Sequence, residues 1–424
     1  MLVPPTERSS RPAREDAGMN IPSPEALLDR VRSLSAAGPL LAALGDAEGV
    51  YLVGGAVRDL LTGDEPLDLD LVLEGDPGEL AARLGGPAHL YDRFGTSSVT
   101  VDGFRYDIAR ARRETYPYPG ALPIVVPASL GEDLRRRDFT VNAAAISLGG
   151  PGRGSLEAVP WTREDVDARR LRVLHDAGFL DDPTRLLRLA RYASRLEFAI
   201  EPDTLGLALA AVRGGALATV SGPRIGAELR LLSREPDPLA GLSCARELGL
   251  DVAIHPDFGL NDPVLARRAF ALLPSDGDPS ELALALASLG VEARELSELL
   301  DALAFEAGER DAILAAAQRA GELSEALRRA RLPSEIADAV GGGSPELVAI
   351  AGALGAPEAA RRWLQSLRHV RLQIGGRDLL AAGIAAGPAV GRGLGAALAA
   401  KRDGRASGRE QELAEAVRAA RGNV

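Results

Sequence analysis

Apolar and polar positions divide the chain into a first part whose period changes every few residues and a second part with one sustained period. Residues 23–45, SPEALLDRVRSLSAAGPLLAALG, place apolar side chains at helical spacing, with Ser23 in a capping position and Glu25 in the first turn. GVYLVGG then reads as a strand closed by a glycine turn, and AVRDLLTG as a short helix that starts at that turn. LDLDLVLEG reads as a strand with alternating acids and GELAARLGG as a helix. AHLYDRFGTSSVTVDGFRYDIARAR gives two hairpin strands. This order predicts a small mixed sheet backed by helices. After residue 130 the period becomes helical and stays so. SLGEDLRRRDFTVNAAAISL opens on a capping box formed by Ser129 and Glu132. DDPTRLLRLARYASRLEF carries Leu186, Leu189 and Leu196 on one stripe, with Arg185, Arg188, Arg191 and Arg195 alongside. SGPRIGAELRLLS opens a further helix behind Ser221, and LPSDGDPS and GGGSP read as connectors. The fold class is α+β: a small head with a mixed sheet, then an extended all-helical remainder. Residues 1–22 read as a flexible N-terminus.

Composition narrows this picture. The 424 residues are 46% hydrophobic but only 4% aromatic, so Leu, Ala and Val build the cores. Lys401 is the only lysine, and arginine supplies almost all positive charge. The net charge of -11 weighs against a wholly basic nucleic-acid binder, although a basic groove can coexist with an acidic back. One cysteine, Cys244, excludes an intrachain disulfide and a CxxC metal site. His89, His175, His255 and His369 are scattered, which argues against a zinc or histidine-rich phosphohydrolase centre. Neither LRRRDFTVNAAAISLGG nor LLAAGIAAGPAVGRGLGAALAA suits a membrane span, and no signal peptide is evident. A cytoplasmic enzyme without membrane association is the expectation.

The chemistry concentrates early. Asp68 and Asp70 in PLDLDLV are two residues apart, so a strand would aim both at one spot. Placing two carboxylates there is costly unless a cation lies between them, although alternating acids also suit a wet outer strand face. Gly54 and Gly55 create a strand-to-helix turn whose amides suit phosphate oxygens. Asp107, on a later strand, is a third carboxylate for a two-ion site. Hard oxygen ligands and few histidines fit Mg²⁺ better than Zn²⁺. Arg58 and Asp59 suit phosphate contact and scaffolding respectively, or a surface salt bridge. Arg110, Arg112 and Arg113, with Arg135, Arg136 and Arg137, suit RNA phosphate contacts or a solvated face. Tyr116 and Tyr118 suit base stacking or a simple loop role.

LVGGAVRDLLTG followed by PLDLDLV resembles the head signature of class II tRNA nucleotidyltransferases, the CCA-adding enzymes, and of the related bacterial poly(A) polymerases. The resemblance continues through RFGT at 93–96, DIARARRETYPYPGALP at 107–123, RRDFTVNA at 136–143 and DDPTRLLRLARYASRLEF at 181–198. It extends to SGPRIGAELRLL at 221–232 and IGGRDLLAAGIAAGPAVGRGL at 374–394. It implies a polymerase-beta-like head over 23–150, a neck over 151–215, a body over 216–290 and a tRNA-binding tail over 291–424. It also implies that Asp68 and Asp70 hold Mg²⁺ and that Gly54, Gly55 and Arg58 serve the triphosphate. Arg137, Asp138 and Asn142 would shape the nucleotide pocket, and Asp181, Asp182, Arg185 and Arg188 would complete it on the neck. Asp182 and Arg185 match the family's base-reading pair, whereas Asp181 stands where the family has glutamate and suits a cap ahead of Pro183. An Asp accepts from an exocyclic amine and an Arg donates to a ring nitrogen or carbonyl, which suits C and A but not G and U in one orientation. An i,i+3 ion pair is the structural alternative for these two side chains. Arg224 and Glu228 match a helix that buttresses the neck, and the segment between Asp107 and Asp138 matches the family's mobile loop, with Arg113 and Glu114 in it. The expected activity is template-independent addition of CMP, AMP or both to tRNA 3′ ends from CTP and ATP, with pyrophosphate released. A poly(A) polymerase and a non-catalytic RNA-binding protein with a relic head are the alternatives.

Overall fold

The computed structural model describes residues 22–45, 47–66, 68–86, 88–91 and 95–422. The expected flexible N-terminus lies outside these residues apart from Pro22, as do Arg93 and Phe94 of RFGT. The described chain forms two compact units. The first takes in the chain to Pro117, then Leu122–Gly178 and Ala199–Thr204. The second takes in Tyr118–Ala121, Phe179–Phe198 and everything from Leu205 onward.

The first unit opens with α1 (Pro24–Ser33) and α2 (Ala37–Leu44), two helices where one was expected. Leu34 is extended, and Pro39 explains the break: its ring would clash inside a continuous helix but fits the first turn of α2. Ser23 caps α1 as expected, accepting from the Ala26 amide at 3.2 Å. Next come β1 (Val50–Val53), α3 (Gly55–Thr62), β2 (Leu69–Leu73), α4 (Pro77–Leu84), β3 (Ala88–Tyr91), β4 (Thr96–Val101) and β5 (Phe104–Arg110). They are followed by β6 (Arg112–Thr115), β7 (Ile124–Pro127), α5 (Leu130–Arg135), β8 (Ala144–Ser147), β9 (Leu156–Ala158), α6 (Thr162–Asp167) and β10 (Arg170–Leu171). One seven-stranded sheet runs β3-β4-β5-β2-β1-β8-β9. Only β2 and β5 pair in parallel, so the sheet is mixed. Strands β6 and β7 form a separate ribbon.

Strand β8 corrects the reading of a purely helical chain after residue 130. All four of its residues are buried, because β8 lies inside the sheet beside β1. A strand covered on both faces has no alternation, and a short apolar run then looks like a helix. The capping box at Ser129 and Glu132 does form, but its helix ends at Arg135 and Thr140–Asn142 make a single 3₁₀ turn. Val53, Val72, Ala111, Leu130, Leu134 and Ala145 form the core against which α5 packs.

The second unit is built of helices. It holds α8 (Thr184–Leu196), most of α9 (Pro202–Arg213) and α10 (Gly222–Ser233). Residues Phe179–Asp181 of α7 (Gly178–Asp181) belong to it as well, and β11 (Ala199–Ile200) returns to pair with β10 in the first unit. Four later helices begin at Asp-Pro or Ser-Pro: Asp237, Asp262, Asp278 and Ser344 each accept an amide of the first turn. A capping oxygen and a proline with preset φ satisfy and shape the turn together, worth about 1 kcal/mol per cap. The last three helices, Gly376–Ala381, Pro388–Arg402 and Gly408–Ala420, share a small core of Ile374, Leu379, Ile384, Ala397, Ala416 and Ala420. Here Glu412, fully buried, accepts from Lys401 Nζ at 2.6 Å and from the Gln373 amide at 2.6 Å. Burial pushes the Cys244 thiol, on the helix Pro238–Glu247, up to about 12, with Glu247 adding to the effect. No described helix is long and apolar enough to cross a membrane.

Candidate active site

Strand β1 ends at Val53 and the chain turns at Gly54, whose φ of 71° requires the left-handed backbone that glycine adopts freely. A Cβ there would stand 3.2 Å from Arg137 Nη1 and 3.7 Å from Asp70 Oδ2. The turn backbone therefore lies directly against an arginine and an acid. Asp70 sits in β2, whereas Asp68 lies one residue before that strand. Both are exposed around buried Leu69, so the same-face alternation holds. Asp107 in β5 is the direct register partner of Asp70.

The Asp70 carboxyl titrates above the usual carboxylate range. Its surroundings, which withhold bulk water although its surface is accessible, are the main cause; Arg137 opposes this and Asp107 and Asp68 add to it. An acid so placed favours a cation. The donor set fits a hard ion: oxygens only, with Arg137 as the single positive group in the balance. Asp107 does not complete a three-carboxylate cage. It binds Arg105 at 3.0 Å, and among the described residues no group of three or more His, Cys, Asp or Glu gathers as a metal site. Two carboxylates suit Mg²⁺, which completes its shell with water and substrate phosphates.

Behind the turn, Arg58 is buried and directed inward. Its Nε and Nη2 donate to Asp59 Oδ1 at 2.9 and 2.7 Å, and its Nη1 donates to Asn142 Oδ1 at 2.7 Å. A surface salt bridge does not describe it, since the side chain is buried and each of its three nitrogens donates inside the protein. Asn142 in turn donates to Asp138 Oδ1 at 3.1 Å. Asp138 and Asn142 are themselves buried, so they brace the pocket wall. Gly55 belongs to the same support, since a Cβ there would meet Arg58 Nη2 at 3.3 Å.

A second network was missed in the sequence. Asp133, completely buried, accepts from Arg136 Nη2 at 2.7 Å and Arg137 Nη2 at 3.0 Å. The signal was present: an acid followed by arginines three and four residues later is helix-pair spacing. Glu114 accepts from Arg112 at 3.1 Å, Arg136 at 2.9 Å and the Tyr116 hydroxyl at 3.0 Å. Burial lowers the Arg112 pKa, helped by Arg136 and resisted by Glu114 and Asp133. Arg112 and Arg136 are therefore half-buried structural members of this network. Arg113 is exposed but pairs with Glu132 at 3.1 Å. Arg110 is exposed with no ion pair among the described residues.

The neck residues lie in the second unit. Asp182 Oδ1 accepts from Thr184 N at 3.1 Å, Thr184 Oγ1 at 2.6 Å and Arg224 Nη2 at 2.8 Å. Pro183 holds the N-cap position of α8, and Asp182 just before it accepts the first helical amide; Asp181 is the last residue of α7. One carboxylate oxygen anchors the group, and the other has no hydrogen bond among the described residues. Arg185, one turn on, is buried. Arg224 also donates to the Gly120 carbonyl at 3.0 Å. Arg188 pairs with Glu228 at 3.3 Å and donates to the Tyr192 hydroxyl at 3.1 Å, which makes it a brace between α8 and α10. Arg224 and Glu228 buttress α8 as expected.

The chain is similar to known proteins over most of its length. Residues 50–172 match the poly A polymerase head domain. The chain is 41% identical over 221 residues to an A-adding tRNA nucleotidyltransferase of Aquifex aeolicus, covering 51% of this chain and 27% of that one. It is 44% identical over 192 residues to a CC-adding tRNA nucleotidyltransferase of Deinococcus radiodurans, covering 44% and 50%. The chain thus spans between about a quarter and half the length of these relatives. A multifunctional CCA protein of Chromobacterium violaceum is 31% identical over 308 residues, covering 68% of this chain and 72% of that one. Among solved structures, the apo form II of a CCA-adding enzyme superposes with a TM-score of 0.77 at 29% identity, covering 92% of this chain and 95% of that one. A Thermotoga maritima CCA-adding enzyme complexed with tRNA gives 0.71 at 28% identity, covering 89% and 93%. With the mixed-sheet head, the paired acids at its glycine turn and likeness over most of its length, the chain belongs to the class II tRNA nucleotidyltransferase and poly(A) polymerase family.

Proposed function

We propose that the protein adds CMP, AMP or both to the 3′ end of tRNA without a template, taking CTP and ATP and releasing pyrophosphate. The observation that carries this reading is the acid pair Asp68 and Asp70 set beside the Gly54 turn and Arg137. The A-adding, CC-adding and multifunctional activities named for its relatives support it. A tRNA substrate supports a cytoplasmic reaction.

The tRNA 3′ oxygen would attack the α-phosphorus of the nucleotide in line. One oxygen–phosphorus bond forms, the bond to the β-phosphate bridge breaks, and the hydroxyl proton leaves to solvent. Asp68 and Asp70 would hold Mg²⁺, which supplies Lewis acidity to the hydroxyl and the phosphates. Arg137, fixed by Asp133, would meet phosphate charge, while Arg58, Asp138 and Asn142 hold the wall in place. The open oxygen of Asp182 would accept from the exocyclic amine of C or A, with Arg185 as the donor partner. A wrong base would leave these charged groups unpaired, which discriminates strongly.

The test uses tRNAs lacking one, two or all three terminal CCA nucleotides, with labelled CTP or ATP and Mg²⁺. Extension of at least one of these ends is expected, and the ends extended show whether C, A or both are added. Asp70→Ala should abolish incorporation while RNA binding persists. Equal incorporation by mutant and wild type removes Asp70 from the site, and long A tracts on unrelated RNA would overturn the tRNA reading.

A further inference from the structure

Outside the site described above, the first unit carries an open cleft of about 590 Å³ between α5, β9 and α6. Trp161 lines it and is 58% exposed, an unusual position for the largest apolar side chain. Its backbone is also unusual: φ is 71° and ψ is -9°, a left-handed conformation that bulky residues rarely adopt. The neighbours hold it there. The Trp161 carbonyl accepts from the Asp165 amide at 2.9 Å, and the adjoining Thr162 hydroxyl donates to the Thr140 carbonyl at 3.0 Å. Over the ring lies the Arg172 guanidinium, 5.3 Å from the centroid. Arg172 is itself fixed by Asp165 at 2.9 Å and Glu201 at 3.4 Å. An indole clamped by a cation and still largely exposed is a rigid flat platform.

The rest of the cleft has matching chemistry. Arg135 and Arg163 line it, are exposed and have no ion pair among the described residues. Glu157 and Glu164 line it too, so its charge is balanced rather than uniformly basic. A nucleotide within a strand offers a π-face for the indole, a phosphate for the guanidiniums and amine donors for the carboxylates. The cleft is open, which suits one unit of a polymer better than a small molecule that must be enclosed.

We propose that this cleft binds an unpaired nucleotide of single-stranded RNA, with the base stacked on Trp161 and the phosphates on Arg135 and Arg163. It rests on the reading that the protein handles RNA, but not on transfer chemistry.

The test titrates the full chain with an unstructured oligocytidylate of eight nucleotides and follows tryptophan fluorescence and affinity. Wild type should show quenching, since a stacked base quenches indole emission. Trp161→Gly should abolish that quenching and weaken binding about tenfold, in the range for loss of one stacked base. Glycine accepts the left-handed backbone, so this variant should melt no lower than wild type. Trp161→Phe should retain most of the affinity. Arg135→Ala with Arg163→Ala should weaken binding several-fold and flatten its salt dependence. Unchanged affinity in a folded Trp161→Gly overturns the proposal. Equal quenching by free CTP or ATP makes the cleft a mononucleotide site, and quenching that follows protein concentration alone makes it a self-association face; either result overturns the RNA assignment. Asp70→Ala should still be quenched, so loss of incorporation with quenching intact leaves this site standing. The reverse outcome, incorporation without quenching, rejects this site and leaves the transferase reading untouched.

Discussion

Arg58 shows how a residue three positions after the glycine turn can do the opposite of what its charge suggests. It is 3% exposed, and each of its three nitrogens donates to Asp59 or Asn142. Removing it leaves a half-buried carboxylate and a buried amide oxygen without this partner, at a cost of about 1–3 kcal/mol. Arg58→Ala should therefore lower the urea midpoint strongly, and Arg58→Lys should rescue little, because an ammonium lacks the planar fork. A midpoint unchanged in both variants would show that the network carries no stability. At this scale the sequence was legible where spacing alone decides. Asp68, Asp70 and Gly54 could be placed by a period of two and a turn. Whether Arg58 faces phosphate or core depends on Asn142, 84 residues away, and no local pattern reports that.

Among the elements, those with one polar face were readable and those with none were not. Helix α8 showed its stripe because its other face is polar, whereas β8 is covered on both sides and carries four apolar or small residues in a row. The closing helices make a different point, since their core contains an ion pair. Burial works to raise the pKa of Glu412, but the hydrogen bonds from Lys401 and the Gln373 and Ile374 amides together bring it below the usual glutamate value. A depressed folded pKa means stability that is present above the unfolded pKa and lost as pH falls through the folded one. Hydrogen-exchange protection of Gly376–Ala420 should thus drop on acidification below about pH 4, the ordinary glutamate range. Glu412→Gln should lower protection at neutral pH and remove much of that acid dependence. Equal acid profiles for the two proteins would assign the effect elsewhere.

For the whole molecule, the consequential fact is that the acids and the neck pair belong to different compact units. Asp68 and Asp70 lie in the first, and Asp182 and Arg185 in the second. Chemistry and base choice should then separate on mutation. Arg185→Ala should flatten the preference among CTP, ATP, GTP and UTP while incorporation of the best nucleotide survives, measured by single-nucleotide competition. An unchanged preference would refute base reading by Arg185. The order of head before helices was legible from the change of period. The return of Ala199–Thr204 to the first unit was not, because two-residue strands such as β10 and β11 are too short to show any period.

The lone thiol gives this two-unit chain an experimental handle. A thiol held at about 12 is almost wholly protonated at neutral pH, and thiols attack maleimides as thiolates. Cysteines introduced at exposed positions, one in each unit, would take a donor and an acceptor dye while Cys244 stays silent. The wild-type background needs no prior cysteine removal, so the two introduced labels alone report on the two units.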